Sequence, residues 1–338
     1  MIEVHNWTEI ADRYTDTLLL GNGASMAVDS CFSYRSLRQA AADNGLITLS
    51  IQKVFEHLET QDFELVMSMI WHAYHVNVAL GVEDGLTQQA YDEVKAALVG
   101  AVRDRHTDIE TARDHLPAIA SFMKRFSTVL SLNYDLIVYW SMLHGNSEYG
   151  TWFKDCFNRG TFDEDWRRMR EPYRAEGATL VFYPHGNLAL TTAIGGAESK
   201  VSRYGQFEDL RESILSAWSS GSHFPLFVSE GETRQKELAI LRSPYLSTVY
   251  HDVLPSLGVS CAVFGWSVGD NDVHIMKQLC RGPLKRIAFS VYRGSRSDIQ
   301  IETECAEIRL KVRKANHKVD VDFYWSESPG CWLRSLTE

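Results

Sequence analysis

No run of eighteen or so apolar residues occurs anywhere in the 338-residue chain, so no membrane-spanning helix is expected. Basic residues are in the minority: 34 Lys and Arg face 44 Asp and Glu, a formal net charge of -10. A surface of that sign has no general grip on backbone phosphates, so direct nucleic-acid binding is not expected. A local pocket for one small anion remains compatible with it. The amino terminus, Met1-Ile-Glu-Val-His-Asn-Trp7, lacks the basic start and apolar stretch of a secretory signal. Six cysteines (Cys31, Cys156, Cys261, Cys280, Cys305, Cys331) lie far apart, with no Cys-x-x-Cys pair. That spacing argues against a zinc module and against a dense disulfide framework, so no metal site is assigned. Buried or incidental thiols in a reducing cytoplasm fit the pattern, and the cytoplasm is the expected location.

What is present is an ordinary globular composition, 45% hydrophobic and 23% charged, enough to bury a sizeable core. The most informative stretch is Thr17-Leu-Leu-Leu-Gly-Asn-Gly-Ala-Ser25. Leu18 to Leu20 read as a buried strand, and Gly21 and Gly23 break it where a ligand can approach the main chain. Ser25 stands where it can cap a following helix, whose amides and dipole attract phosphate. The third glycine of the dinucleotide fingerprint is missing, since Met26 follows Ser25. Taken alone, this reads first as an ordinary strand-to-helix turn.

Three later stretches share that form. Residues 128–135 read as a strand ending in Asn133 and Asp135, which would project the same way because strand side chains alternate. Asp135 serves equally as a cap for the next helix. Residues 179–187 are a strand stopped by Pro184, with His185 and Gly186 directly beyond, a favourable place for acid–base chemistry. Residues 260–272 are an apolar strand followed by Gly265, Ser267, Asp270 and Asp272, ahead of a helix at 273–279. Further strands are expected at 224–228, 286–292 and 319–325, and helices at 207–218, after a loop at 229–236, at 245–254 and at 299–315. Residues 37–126 are mostly helical, with Met67, Ile70, Trp71 and Tyr74 at helical spacing. His72 and His75 share a helical face, but no third ligand is near in sequence, so packing or an interface suits them better than a metal. The alternation predicts an α/β protein, a Rossmann-like doubly wound parallel sheet in one domain, with a helical insertion at about 37–126 and a second insertion at about 145–177.

The four strand ends, in this order, resemble the sirtuin-like NAD-binding family. Gly21-Asn22-Gly23-Ala24-Ser25 is similar to its Gly-Ala-Gly-x-Ser turn, with asparagine in place of the first alanine. Ser131-Leu-Asn-Tyr-Asp135 resembles its Thr-x-Asn-x-Asp, His185-Gly186 its catalytic His-Gly, and Phe264-Gly-Trp-Ser267 its later glycine-serine strand end. The Asn-Tyr-Asp form, the Val228-x-Glu-Gly loop with Tyr245-Leu246, and the trailing Ser-Val-Gly-Asp-Asn-Asp resemble the bacterial anti-phage defence branch. The likeness runs from about residue 18 to 279. The four-cysteine zinc module of the deacylases is absent, which directs the comparison to the NAD glycohydrolases. The resemblance implies NAD+ as substrate rather than cofactor, with nicotinamide released and ADP-ribose formed. It implies pyrophosphate at Gly21 to Ser25, ribose or water at Asn133, carboxamide or ribose at Asp135, and a proton acceptor at His185, next to Gly186. Gly265, Ser267 and one or both of Asp270 and Asp272 would line the adenosine end, though both acids are equally good helix caps. A homo-oligomer, or a complex with a HerA-type ATPase, would hold such an activity in check. The alternative is a non-catalytic nucleotide-binding scaffold or sensor subunit of a defence complex. A Rossmann dehydrogenase fits less well, since no second strand carries a ribose-binding acid at the expected distance.

Overall fold

Short apolar strands rich in Leu, Val, Ile and Phe are buried on both faces in this chain, the pattern of a parallel sheet covered by helices on each side. The computed structural model describes residues 2–32, 37–61, 63–82, 85–193, 196–201, 210–219, 223–228 and 233–333. In it β1 (Thr17–Leu20), β2 (Thr128–Ser131), β3 (Phe153–Lys154), β6 (Thr179–Phe182), β10 (Ser260–Phe264), β11 (Arg286–Val291) and β12 (Asp320–Trp325) form one sheet. Its order is β12-β11-β10-β1-β2-β6-β3, and every pairing is parallel. All residues of β1, β2, β6 and β10 are buried. The fold is α/β, a Rossmann-like doubly wound parallel sheet.

The chain moves from β1 to β2 and on to the β6–β3 edge, then crosses back past β1 to lay down β10, β11 and β12. The border between β1 and β10 is therefore where the strand order reverses. The carboxyl ends of the strands open there into the crevice where open α/β sheets bind ligands.

Between β1 and β2 lie helices Leu37–Asp43, Leu49–His57, Phe63–Ala79, Gly85–Arg105, Ile109–Arg113 and Leu116–Met123. Residues 45–51, ambiguous from sequence, turn helical at Leu49 because the Thr48 side chain accepts from Ile51 N–H and caps the helix. Pro117 falls in the first turn of Leu116–Met123, the one place where a helix tolerates it. The apolar stripe of Phe63–Ala79 is spent internally: Met67 and Ile70 are buried, and Trp71 packs on Tyr91 and Phe224. What the helix pair exposes instead is Met69, Val76, Val78, Leu80, Val82 and Leu86. His72 and His75 are both exposed on the same helix.

The second insertion mixes short strands with a tight turn. It carries the edge strand β3, a hairpin of β4 (Phe157–Asn158) and β5 (Thr161–Phe162), and a 3₁₀ turn at Trp166–Arg170. Directly after His185 comes β7 (Gly186–Ala193), a strand missing from the sequence reading. It pairs antiparallel with β8 (Glu198–Lys200) and β9 (His223–Phe227) in a separate three-stranded sheet. The strand expected at 224–228 thus lies outside the main sheet. Residues 207–209, the start of an expected helix, and most of the loop after Val228 fall outside the described residues.

Candidate functional site

The helix after β1 begins earlier than expected. Gly21 is its cap, in an extended conformation, and the helix runs Asn22–Val28, so Ser25 lies inside it rather than at its start. Ser25 does not cap; buried at 2% exposure, it donates its hydroxyl to Asp135 Oδ2. Asn133 Nδ2 donates to Ser25 Oγ at 2.8 Å and to Gly21 O at 2.9 Å. Asp135 Oδ1 accepts from Ile137 N–H at 2.9 Å, so this carboxylate caps the next helix as well as meeting Ser25. Asn133 and Asp135 sit beyond the end of β2, in the loop rather than in strand register, and they converge because Ser25 lies between them. Asn187 Nδ2 donates to Asp135 O at 2.5 Å and ties β7 into the same network. Burial holds the Asp135 carboxyl above its usual range, against the lowering effect of the Ser25 and Ile137 donors.

Gly265 closes the turn from the β10 side. Gly21 N–H donates to Phe264 O at 2.9 Å, Gly23 N–H to Gly265 O at 2.8 Å, and Ala24 N–H to Gly21 O at 2.9 Å. Three amides of the glycine turn are thus engaged inside the protein. A Cβ on Gly265, whose φ is +70°, would stand 2.4 Å from Ala24 N. The two glycine turns are therefore in main-chain contact with no side chain between them. Asn22 is exposed and donates Nδ2 to Phe32 O at 3.0 Å, while Ala24 O accepts from Trp332 Nε1 at 2.9 Å.

His185 is buried at 4% exposure. Its Nε2 lies 3.0 Å from Nε2 of His274, with the two rings stacked at 5.2 Å. Gly186 follows with φ +76°, its amide on Tyr183 O at 2.9 Å, and turns the chain sharply into β7. Asp272 faces the same two histidines, with Lys236 Nζ on its Oδ1 at 2.7 Å and Trp266 Nε1 on its Oδ2 at 3.4 Å. Burial, reinforced by the Lys236 ammonium, pushes the His185 imidazole well below its usual range; burial does the same to His274. Burial works to raise Asp272, but His185 and Lys236 outweigh it and the carboxyl is held low.

The strand ends therefore assemble into two adjoining polar clusters, one of Ser25, Asn133, Asp135 and Asn187, the other of His185, Asp272, His274 and Lys236. Gly21, Gly23 and Gly265 form the floor. Two expected residues stay out of the clusters: Ser267 is exposed, and Asp270 is 90% exposed and pairs with Lys311 at 3.1 Å. Asp272 stands at the helix cap position yet makes no capping bond with its side chain. His274, Lys236 and Asn187 were missed from the sequence. The pattern Asp272-x-His274 carries a visible signal, two ligand-type residues one apart, whereas nothing around Lys236 announces its partner 36 residues away. Among the described residues, His185, Asp272 and His274 also form the group able to hold a metal ion, their donor atoms all within 4.8 Å of one another.

A comparison with curated proteins finds no match. Over residues 18–332 the sequence does match the family described as a domain of unknown function, DUF4917. That span takes in β1 from its second residue, every other strand of the main sheet and both polar clusters. The chain belongs to the DUF4917 family.

Proposed function

We propose that the chain is an NAD+ glycohydrolase, releasing nicotinamide and forming ADP-ribose as an anti-phage defence effector. One observation carries the reading: Ser25, Asn133 and Asp135 share a buried hydrogen-bond network at the β1–β10 switch point, tied through Asn187 to the strand that follows the buried His185. Nicotinamide departs from a cationic nitrogen as a neutral molecule, so the site needs no acid to protonate it, unlike an ordinary glycosidase. The site must hold the ribose, stabilise an oxocarbenium-like centre and deliver water. In this reading Asn133 orients the ribose or the water, Asp135 holds the carboxamide or ribose, and His185 accepts the proton, a step worth about 10²–10⁴-fold. The exposed Asn22 and half-buried Gly23 mark the side from which pyrophosphate would reach the turn, with Gly265 beside it.

Purified protein incubated with NAD+ tests this by nicotinamide release. His185→Ala and Asn133→Ala should each abolish release, and circular dichroism reports whether the fold persists. A folded variant with undiminished turnover removes the assignment. The second reading, a nucleotide-binding scaffold, is favoured by one feature: His185 Nε2 faces His274 Nε2 at 3.0 Å. NAD+ binding without turnover, with or without partner proteins, would support that reading. An effector that consumes NAD+ needs restraint, and on that ground we place the chain in a homo-oligomer or with a HerA-type ATPase.

A further inference from the structure

The second cluster has a composition that proton transfer alone does not require. His185 and His274 come from different elements 89 residues apart, yet their Nε2 atoms approach to 3.0 Å. Two imidazole nitrogens each about 2.1 Å from one ion, and at right angles about it, would stand roughly 3.0 Å apart. A carboxylate oxygen of Asp272 lies within 4.8 Å of both. Lys236 Nζ sits on Asp272 Oδ1, with Trp266 Nε1 the longer contact on Oδ2. One carboxylate oxygen is therefore the less tightly held.

We propose that His185, His274 and Asp272 form a binding site for a first-row divalent transition metal, in a two-histidine, one-carboxylate arrangement. Imidazole donors select zinc, cobalt, nickel or ferrous iron over magnesium and calcium, which prefer all-oxygen shells. The three protein ligands leave positions for water or a further ligand. Lys236 opposes the ion, because an ammonium beside the carboxylate repels a second cation. The site is therefore tuned to weaker binding than the three donors would give alone. If the glycohydrolase reading also holds, a bound ion would take the Nε2 lone pair of His185 and inhibit nicotinamide release.

The test is titration of the full chain with Co2+ and Zn2+ chloride, without NAD+, followed by visible absorption for cobalt and by calorimetry. One equivalent should bind, with cobalt d–d bands showing nitrogen and oxygen donors. His274→Gln and Asp272→Asn should each weaken binding by roughly tenfold or more. His72→Ala/His75→Ala, which alters only the exposed pair, should leave it unchanged, and Lys236→Met should tighten it. The proposal is overturned by wild-type protein that takes up no metal, by binding that survives His274→Gln, or by binding lost with the His72/His75 pair. Because no step of this experiment involves NAD+, its failure would leave the glycohydrolase reading standing, and the reverse also holds.

Discussion

Ser25 shows how one side chain joins elements that the sequence keeps far apart. Its hydroxyl receives from Asn133 and gives to Asp135, so removing it strands two buried partners more than a hundred residues away. Ser25→Ala should cost about 2 kcal/mol of stability, the usual penalty for leaving buried polar groups unpaired. If the glycine turn receives pyrophosphate, the same variant should weaken NAD+ binding more than it slows turnover. Denaturant melts and NAD+ titrations check the two effects separately, and an unchanged affinity would count against the turn as the phosphate site. His106 supplies a test by pH. It is buried, its Nε2 accepts from Leu136 N–H at 2.9 Å, and its Nδ1 therefore donates to Thr107 O at 2.7 Å. Burial pushes its pKa down to about 4. The unfolded chain, titrating near 6.5, binds the proton more readily, so His106 adds full stability above about pH 6.5 and that contribution is lost as pH falls toward 4. The loss is roughly 3 kcal/mol across that window. His106→Gln should flatten this part of the stability profile, measured as melting temperature against pH. A slope equal to wild type would show that other groups carry it.

At the level of elements, the meeting of the turn after β1 with the turn after β10 sets the geometry of the crevice. Gly265 sits at φ +70° with its α-carbon against Gly23, an approach that any Cβ would block. Gly265→Ala combines a left-handed backbone conformation with an impossible contact, and should destabilise the protein by about 3 kcal/mol or more. Its effect should exceed that of Gly269→Ala four residues on, where a Cβ meets nothing within 4 Å. Paired thermal melts decide it, and similar values for the two variants would mean that the two turns are not held together as described. The same close packing explains why amides that read as phosphate ligands in sequence are here bonded to the opposing turn.

For the whole molecule, the question is what covers the end of the Phe63–Ala79 and Gly85–Arg105 helix pair. Val76, Val78, Leu80 and Leu86 are each more than half exposed, while of the stripe that looked surplus in sequence Met67 and Ile70 are buried and Trp71 and Tyr74 half-buried. If the chain assembles as proposed, this end offers exposed apolar side chains that a partner would cover. Light scattering should then give a mass above that of one chain, and Leu80→Ser with Leu86→Ser should reduce it. A monomer at all concentrations, with constitutive NAD+ turnover, would remove the assembly.

The sequence by itself determined the sheet. Runs such as Thr17–Leu20, Thr179–Phe182 and Ser260–Phe264 are apolar on both faces and end in glycine or polar residues, and alternation with helices leaves a parallel, doubly wound arrangement as the way to bury them. It also singled out Ser25, Asn133, Asp135 and His185, because strand ends are where such a sheet presents chemistry. It could not reveal β7, whose strand character comes from being paired on both sides, with β8 close in sequence and with β9 thirty or more residues on. Nor could it seat Ser25 within the helix, since the cap was decided by the extended backbone of Gly21. The partners of His185 were likewise decided only by tertiary structure. His274 meets it and Lys236 meets the adjoining Asp272 from two helices whose sequences carry no mark of each other, and only the topology brings them to the end of β6. Periodicity records which face of an element is buried, whereas side-chain partnership depends on which elements the topology sets side by side.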